Sequence, residues 1–118
     1  MKIVIAGGGV AAFEAANSAR KISPDAEITV ISSEKILPYR RPALSGMLGD
    51  FKINEKAFFI KPENFYADNR ITLHLNTNCT AIEKNALLMA DGSRFEFDRL
   101  VIATGGVAFR PDLPILLF

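Results

Sequence analysis

Apolar and polar positions divide the chain into short blocks. Ile3, Val4 and Ile5 form a run with no polar face, the pattern of a strand covered on both sides in a parallel sheet. Gly7, Gly8 and Gly9 follow. Ala12, Ala15, Ala16 and Ala19 then recur at helical spacing, which predicts a slim helix lying close on that sheet. Ser23-Pro24-Asp25 ends the helix, and Ile28–Ile31 is a second buried strand. Ile71–Leu75 reads as a third strand, with His74 on the face opposite Ile71, Leu73 and Leu75. Alternating runs at Cys79–Lys84, Ala86–Ala90 and Arg94–Phe97 predict a small antiparallel β-meander, with Asp91-Gly92 as its hairpin turn. Leu100–Ala103 reads as one more fully buried strand, running into Thr104-Gly105-Gly106. Between these blocks lie a proline-punctuated loop, Leu37–Gly49, and short helical pieces within Asn54–Asn69. Pro62 and Glu63 mark a helix start there, and Phe58, Phe59, Phe65 and Tyr66 read as core.

Composition narrows the class. A chain of 118 residues with 49% apolar residues suits one domain with a real core. The net charge of +1 leaves no basic stripe for nucleic acid and no acidic solvating tail. Cys79 is the one cysteine, so an intramolecular disulfide, a CxxC redox pair and a cysteine-rich metal site are excluded. Lys2 before an apolar run mimics a signal peptide, but the glycine triplet and Glu14 argue against one. No stretch approaches the ~20 apolar residues of a membrane helix, and a cytoplasmic location is expected. Ile115–Phe118 would form a sticky patch on an isolated domain, so another part of the protein or a homodimer partner is expected to cover it.

The candidate chemistry sits in the strand–glycine–helix unit. A glycine junction of this kind is the sequence form of a dinucleotide-binding turn in a Rossmann-like α/β fold. Gly7 allows the tight turn, Gly9 lets backbone approach a pyrophosphate, and Ala12 holds the position where a third glycine often sits. Amides opening the helix point at phosphate oxygens, and the helix dipole favours their charge. Ser32, Ser33 and Glu34 follow the second strand, where open α/β sheets bind ligands. Glu34 is a candidate for a ribose hydroxyl; it lies three residues past Ile31, which leaves Ser33 as the alternative. Arg40 and Arg41 could decorate a surface, whereas Pro42 fixes the backbone beside Arg41 for a bidentate diphosphate contact. His74 has no ligand set near it and reads as structural.

Four segments in order, GGGVAAFEAA, ITVISSE, LPYRRPALS and DGS with FDRLVIATGG, resemble the FAD-binding domain of the pyridine nucleotide–disulphide oxidoreductase superfamily. The nearest flavours are the NADH:rubredoxin and ferredoxin reductases and the NAD(P)H nitrite reductase large subunit. The resemblance runs to Pro111 and rests on the RPALS and ATGG segments more than on the glycine turn. It implies that Gly7, Gly9, Val10 and Ala11 line the FAD pyrophosphate and that Ser33 and Glu34 meet the adenosine ribose. It implies also that Arg41 and Pro42 approach the diphosphate and flavin side. Cys79 takes a position usually held by valine, whose backbone meets the adenine. Ala103, Thr104 and Gly105 form the ATG motif close to the cofactor.

Two departures qualify this. Many relatives carry a lysine where Gly46 stands, and the disulfide and peroxide reductases keep a reactive cysteine near the stretch Arg41–Ser45. Electron delivery to a rubredoxin, a ferredoxin or a nitrite-reducing centre is therefore expected rather than thiol chemistry. The resemblance also implies that residues 1–118 are the N-terminal portion of a FAD-binding domain. The NAD(P)H domain and the C-terminal half of the flavin domain are absent from them, so the 118 residues alone are not expected to turn over, and no catalytic or metal residue is assigned. Two other readings stay open at this point: a plain NAD(P)-binding Rossmann module, and a non-catalytic nucleotide-binding or dimerising remnant.

Overall fold

The computed structural model describes residues 1–39 and 59–105. Within them β1 (Lys2–Ala6) leads through α1 (Val10–Ile22) to β2 (Glu27–Ile31), followed by α2 (Glu63–Asp68) and β3 (Ile71–His74). Then come β4 (Cys79–Ile82), β5 (Ala86–Met89), β6 (Arg94–Glu96) and β7 (Arg99–Ile102). Strands β3-β2-β1-β7 form one four-stranded sheet, every neighbouring pair parallel. Strands β4-β5-β6 form a separate antiparallel sheet.

The two faces of β1 explain why its run is apolar throughout. Ile3 and Ile5 pack with Ile28, Val30 and Ile71 beneath Ala12, Phe13 and Ala16 of α1 and Tyr66 of α2. Val4 and Ala6 turn the other way and meet Ile31, Leu87 and Met89, the last two from the meander. The result is three layers with the parallel sheet in the middle. Ile5 and Ile28 are both at most 1% exposed, and burying each contributes about 1.5–3 kcal/mol. Alanine at 12 and 16 keeps α1 close enough to seal that face, since both side chains are fully buried.

Helix α1 ends on Ser23, whose N–H donates to Ala19 O at 2.8 Å, with Arg20 and Lys21 favourably placed in its last turn. Arg20 does more than balance the dipole. Its guanidinium donates to Pro24 O (2.8 Å), Asn69 O (2.9 Å) and Arg70 O (2.9 Å), tying the end of α1 to the end of α2. Tyr66 of α2 is buried with its hydroxyl unpartnered, and desolvation pushes its pKa from 10.0 up to about 12. In the hairpin, Gly92 takes φ +90°, and Asp91 accepts from the Ser93 hydroxyl and N–H, which together hold its carboxyl below the usual range.

Among the described residues the expected elements are found with small shifts in their ends. Most of the expected loop Leu37–Gly49 and the first part of Asn54–Asn69 lie outside them. The expectation for the last strand needs correcting. Leu100–Ala103 is not fully buried: among the described residues β7 pairs with β1 alone, and Ile102 is 63% exposed. Its apolar composition reflects one covered face and an edge with no further strand among the described residues. The meander is similarly uneven, β5 lying mostly buried and β4 exposed along its whole length. Of the aromatic residues expected in the core, Tyr66 is buried, Phe59 and Phe65 are half-buried, and Phe58 lies outside the described residues. His74 stacks edge-on against Phe95, ring centroids 4.8 Å apart, which accords with a structural role.

Candidate functional site

The parallel ladder continues past the strand ends before it opens. Gly7 N–H donates to Ile31 O and Ala103 N–H to Ala6 O, both at 2.8 Å, so the chain leaves β1, β2 and β7 at one level. Beyond that level lies a cleft of about 260 Å³, lined by Ala6, Gly7, Gly8, Ile31, Ser32, Ser33, Glu34, Thr77, Asn78, Cys79 and Thr104. It sits at the carboxyl ends of parallel strands, where open α/β sheets take their ligands.

Glycine is required here at two positions, for different reasons. Gly7 has φ +147°, and a Cβ on it would lie 2.1 Å from the carbonyl oxygen of Ala103. The turn therefore fits only by running main chain against main chain. A Cβ on Gly8 would lie 2.1 Å from Ser32 Oγ. Within the chain Gly7 and Gly8 each lie against a neighbouring strand end, whereas the sequence reading gave Gly9 an approach to a pyrophosphate, which is a separate contact. Gly9 itself is the extended N-cap of α1 and offers no capping side chain. By helix geometry the amides of Val10, Ala11 and Ala12 lack acceptors within α1, and Val10 and Ala11 are exposed at this end. Uncapped amides beside a glycine cradle suit a phosphate anion.

The opposite wall is built from backbone. Ser32 N–H donates to His74 O (2.8 Å), Thr77 N–H to Ser32 O (2.9 Å) and Asn76 N–H to Glu34 O (2.7 Å). Asn76 takes the left-handed conformation (φ +53°) that turns the chain from β3 toward β4. These bonds hold Thr77, Asn78 and Cys79 across from Ser33 and Glu34. Ser33 is exposed and Glu34 half-buried, with its carboxylate Oε2 out of solvent, while Ser32 is the fully buried member of the triplet.

Of the sequence candidates, Gly7, Ser33, Glu34, Cys79 and Thr104 line this single cleft. Gly9, Val10, Ala11, Ala103 and Gly105 flank it without lining it, Ala103 serving instead as the surface on which Gly7 rests. Arg41 and Pro42 lie outside the described residues. Gly8, Thr77 and Asn78 were not singled out from sequence as site residues, and Ser32 was placed at the site as part of the Ser32-Ser33-Glu34 triplet without a contact of its own. The middle glycine and the Thr-Asn pair just before Cys79 were the available signals. Among the described residues there is no group of three or more His, Cys, Asp or Glu side chains placed to hold a metal. No helix among them is long and apolar enough to cross a membrane.

Parallel sheet, glycine turn into an uncapped helix and strand-end cleft together define an FAD/NAD(P)-binding α/β fold. The chain belongs to the pyridine nucleotide-disulphide oxidoreductase family, whose sequence profile matches residues 1–116. It is 37% identical over 112 residues to a rubredoxin-NAD(+) reductase of Ectopseudomonas oleovorans, covering 93% of this chain and 29% of that protein. Among solved structures it resembles the reductase in a covalent putidaredoxin reductase–putidaredoxin complex, with TM-score 0.87 and 32% identity over 97% of this chain and 27% of that one. The NADH:rubredoxin oxidoreductase of Clostridium acetobutylicum is similar, with TM-score 0.84 and 32% identity over 96% of this chain and 30% of that one. The chain thus spans less than a third of the length of these relatives.

Proposed function

We propose that the cleft holds the adenosine diphosphate half of FAD, and that the chain is the N-terminal portion of the FAD-binding domain of an NAD(P)H-dependent reductase. One observation carries this reading: a cradle made of main chain, closed to any Cβ at Gly7 and Gly8, beside the uncapped start of a 13-residue helix. In this reading the diphosphate rests against Gly7, Gly8 and Gly9 and the first amides of α1, at Val10 and Ala11. Ser33 and Glu34 meet the ribose hydroxyls. Cys79 borders the adenine through its backbone, and Ala103, Thr104 and Gly105 close the cleft on the β7 side. Arg41 and Pro42 approach the diphosphate from the loop after β2.

When bound, FAD supplies hydride acceptance and one-electron delivery; this part of the protein binds and orients it. The relatives' names include rubredoxin and putidaredoxin reductases, which supports a rubredoxin- or ferredoxin-type acceptor for the whole protein. A nitrite-reducing centre is the other acceptor class, and NAD(P)H the electron donor, with its site in a separate domain. The cofactor is tested by titrating the chain with FAD and following the visible flavin spectrum, then adding ADP or riboflavin. Saturable binding displaced by ADP and untouched by riboflavin is expected. Binding displaced by riboflavin, or no binding of either FAD or ADP, overturns the assignment.

A further inference from the structure

Ser32 is buried, at 2% exposed, and it lines the cleft. Its side chain touches two groups with separate tasks in the proposed site. Ser32 Oγ accepts the backbone N–H of Glu34 at 3.1 Å. The same oxygen lies against Gly8, so closely that a Cβ there would come within 2.1 Å of it. Its main chain is fixed by His74 and Thr77 through bonds of 2.8 and 2.9 Å. The hydroxyl therefore cannot shift toward one neighbour without leaving the other.

We infer that Ser32 is a positioning residue that sets Glu34 against the glycine turn, so that the ribose and diphosphate subsites are spaced as one ligand requires. This deepens the adenosine diphosphate reading and rests on it. A serine is the side chain that fits: one atom beyond Cβ, it reaches the Glu34 N–H by closing a short side chain-to-backbone turn of the kind serine favours. Alanine leaves that N–H without its acceptor and releases the bend at Ser33, so Glu34 loses its fixed distance from Gly8. Threonine keeps the oxygen but adds a methyl group to a fully buried position.

The consequence is specific to the sugar. In the wild-type chain ADP should bind more tightly than 2′,3′-dideoxy-ADP, because only ADP offers hydroxyls to Glu34. Ser32→Ala should bring that preference down to within about twofold of unity, while binding of inorganic pyrophosphate changes by less than about twofold. In a double-mutant cycle with Glu34→Ala, Ser32→Ala should add nothing further to the loss of preference. A role in general folding alone would lower ADP, dideoxy-ADP and pyrophosphate binding together, and that result overturns the inference. So does a wild-type preference that survives Ser32→Ala. Should the alanine variant not fold, Ser32→Cys carries the same test with a near-isosteric but poor acceptor. If wild-type protein binds none of the three probes, the adenosine diphosphate reading itself fails and takes this one with it. A wild-type preference lost only with Glu34→Ala sinks the Ser32 role alone.

Discussion

Two of the clefts among the described residues are nearly equal in volume, about 260 Å³ beyond the carboxyl ends of β1 and β2 and about 270 Å³ beside the amino-terminal halves of the same strands. Their walls are unlike. The second is lined by Lys2, Ile3, Val4, Glu27, Thr29, Arg94, Phe95 and Glu96, with two positive and two negative side chains among them. Lys2 stands 4.0 Å from Glu96, and Arg94 pairs with Glu83 outside the cleft. Backbone there is already satisfied: Lys2 N–H donates to Asp98 Oδ2 (2.6 Å) and Glu27 N–H to Met1 O (2.8 Å). The first is lined by Gly7 and Gly8, where no Cβ fits against Ala103 or Ser32, and has a helix start without a side-chain cap beside it. Size does not separate them. What separates them is the supply of unspent donors, which an anion can take up at one end and not at the other.

The strongest way to break the comparison is at Gly7. Gly7→Ala should cost about 3 kcal/mol or more in urea unfolding, since the new Cβ meets the Ala103 carbonyl and the backbone stays left-handed. A loss below about 1 kcal/mol would show that β7 can give way. Tyr66 tests the packing above the sheet. Its raised pKa favours the folded state below pH 10 and that preference is lost as pH rises through about 12. Wild type should therefore lose about 2–3 kcal/mol relative to Tyr66→Phe between those limits. At neutral pH, Tyr66→Phe should equal or exceed wild-type stability by about 1 kcal/mol, because the hydroxyl is buried and unpartnered.

Gly8→Ala should weaken ADP binding by about tenfold or more, equivalent to ~1.4 kcal/mol, through the forced displacement of Ser32. Equal ADP affinity in that variant would remove the cradle from the explanation. At the other cleft, Glu96→Gln should leave ADP affinity within about twofold and stability within about 0.5 kcal/mol, because the pair with Lys2 is long and exposed.

Much of this was legible in the residues. The apolar runs at Ile3, Ile28 and Ile71 specify strands covered by α1 and α2 or by the meander, and all three are found in the parallel sheet. The turn at Asp91-Gly92 was legible because glycine is needed for its positive φ. The exposure of β7 was not, since an apolar run reads alike whether one neighbour or two cover it. Arg20 was missed for another reason. Its acceptors are backbone carbonyls at Pro24, Asn69 and Arg70, which carry no side-chain signature. At the site, the glycine triplet announced the cradle, yet which glycine meets which neighbour depends on Ser32 and Ala103 arriving from distant strands.

Amide chemical-shift mapping of the chain with ADP probes the difference between the two clefts most directly. Perturbations should gather at Gly7 to Ala11, Ser33, Glu34 and Cys79, leaving Lys2, Glu27 and Arg94 to Glu96 unmoved. Perturbations centred on that second group, with the glycine amides silent, would contradict a main-chain anion site at the strand ends.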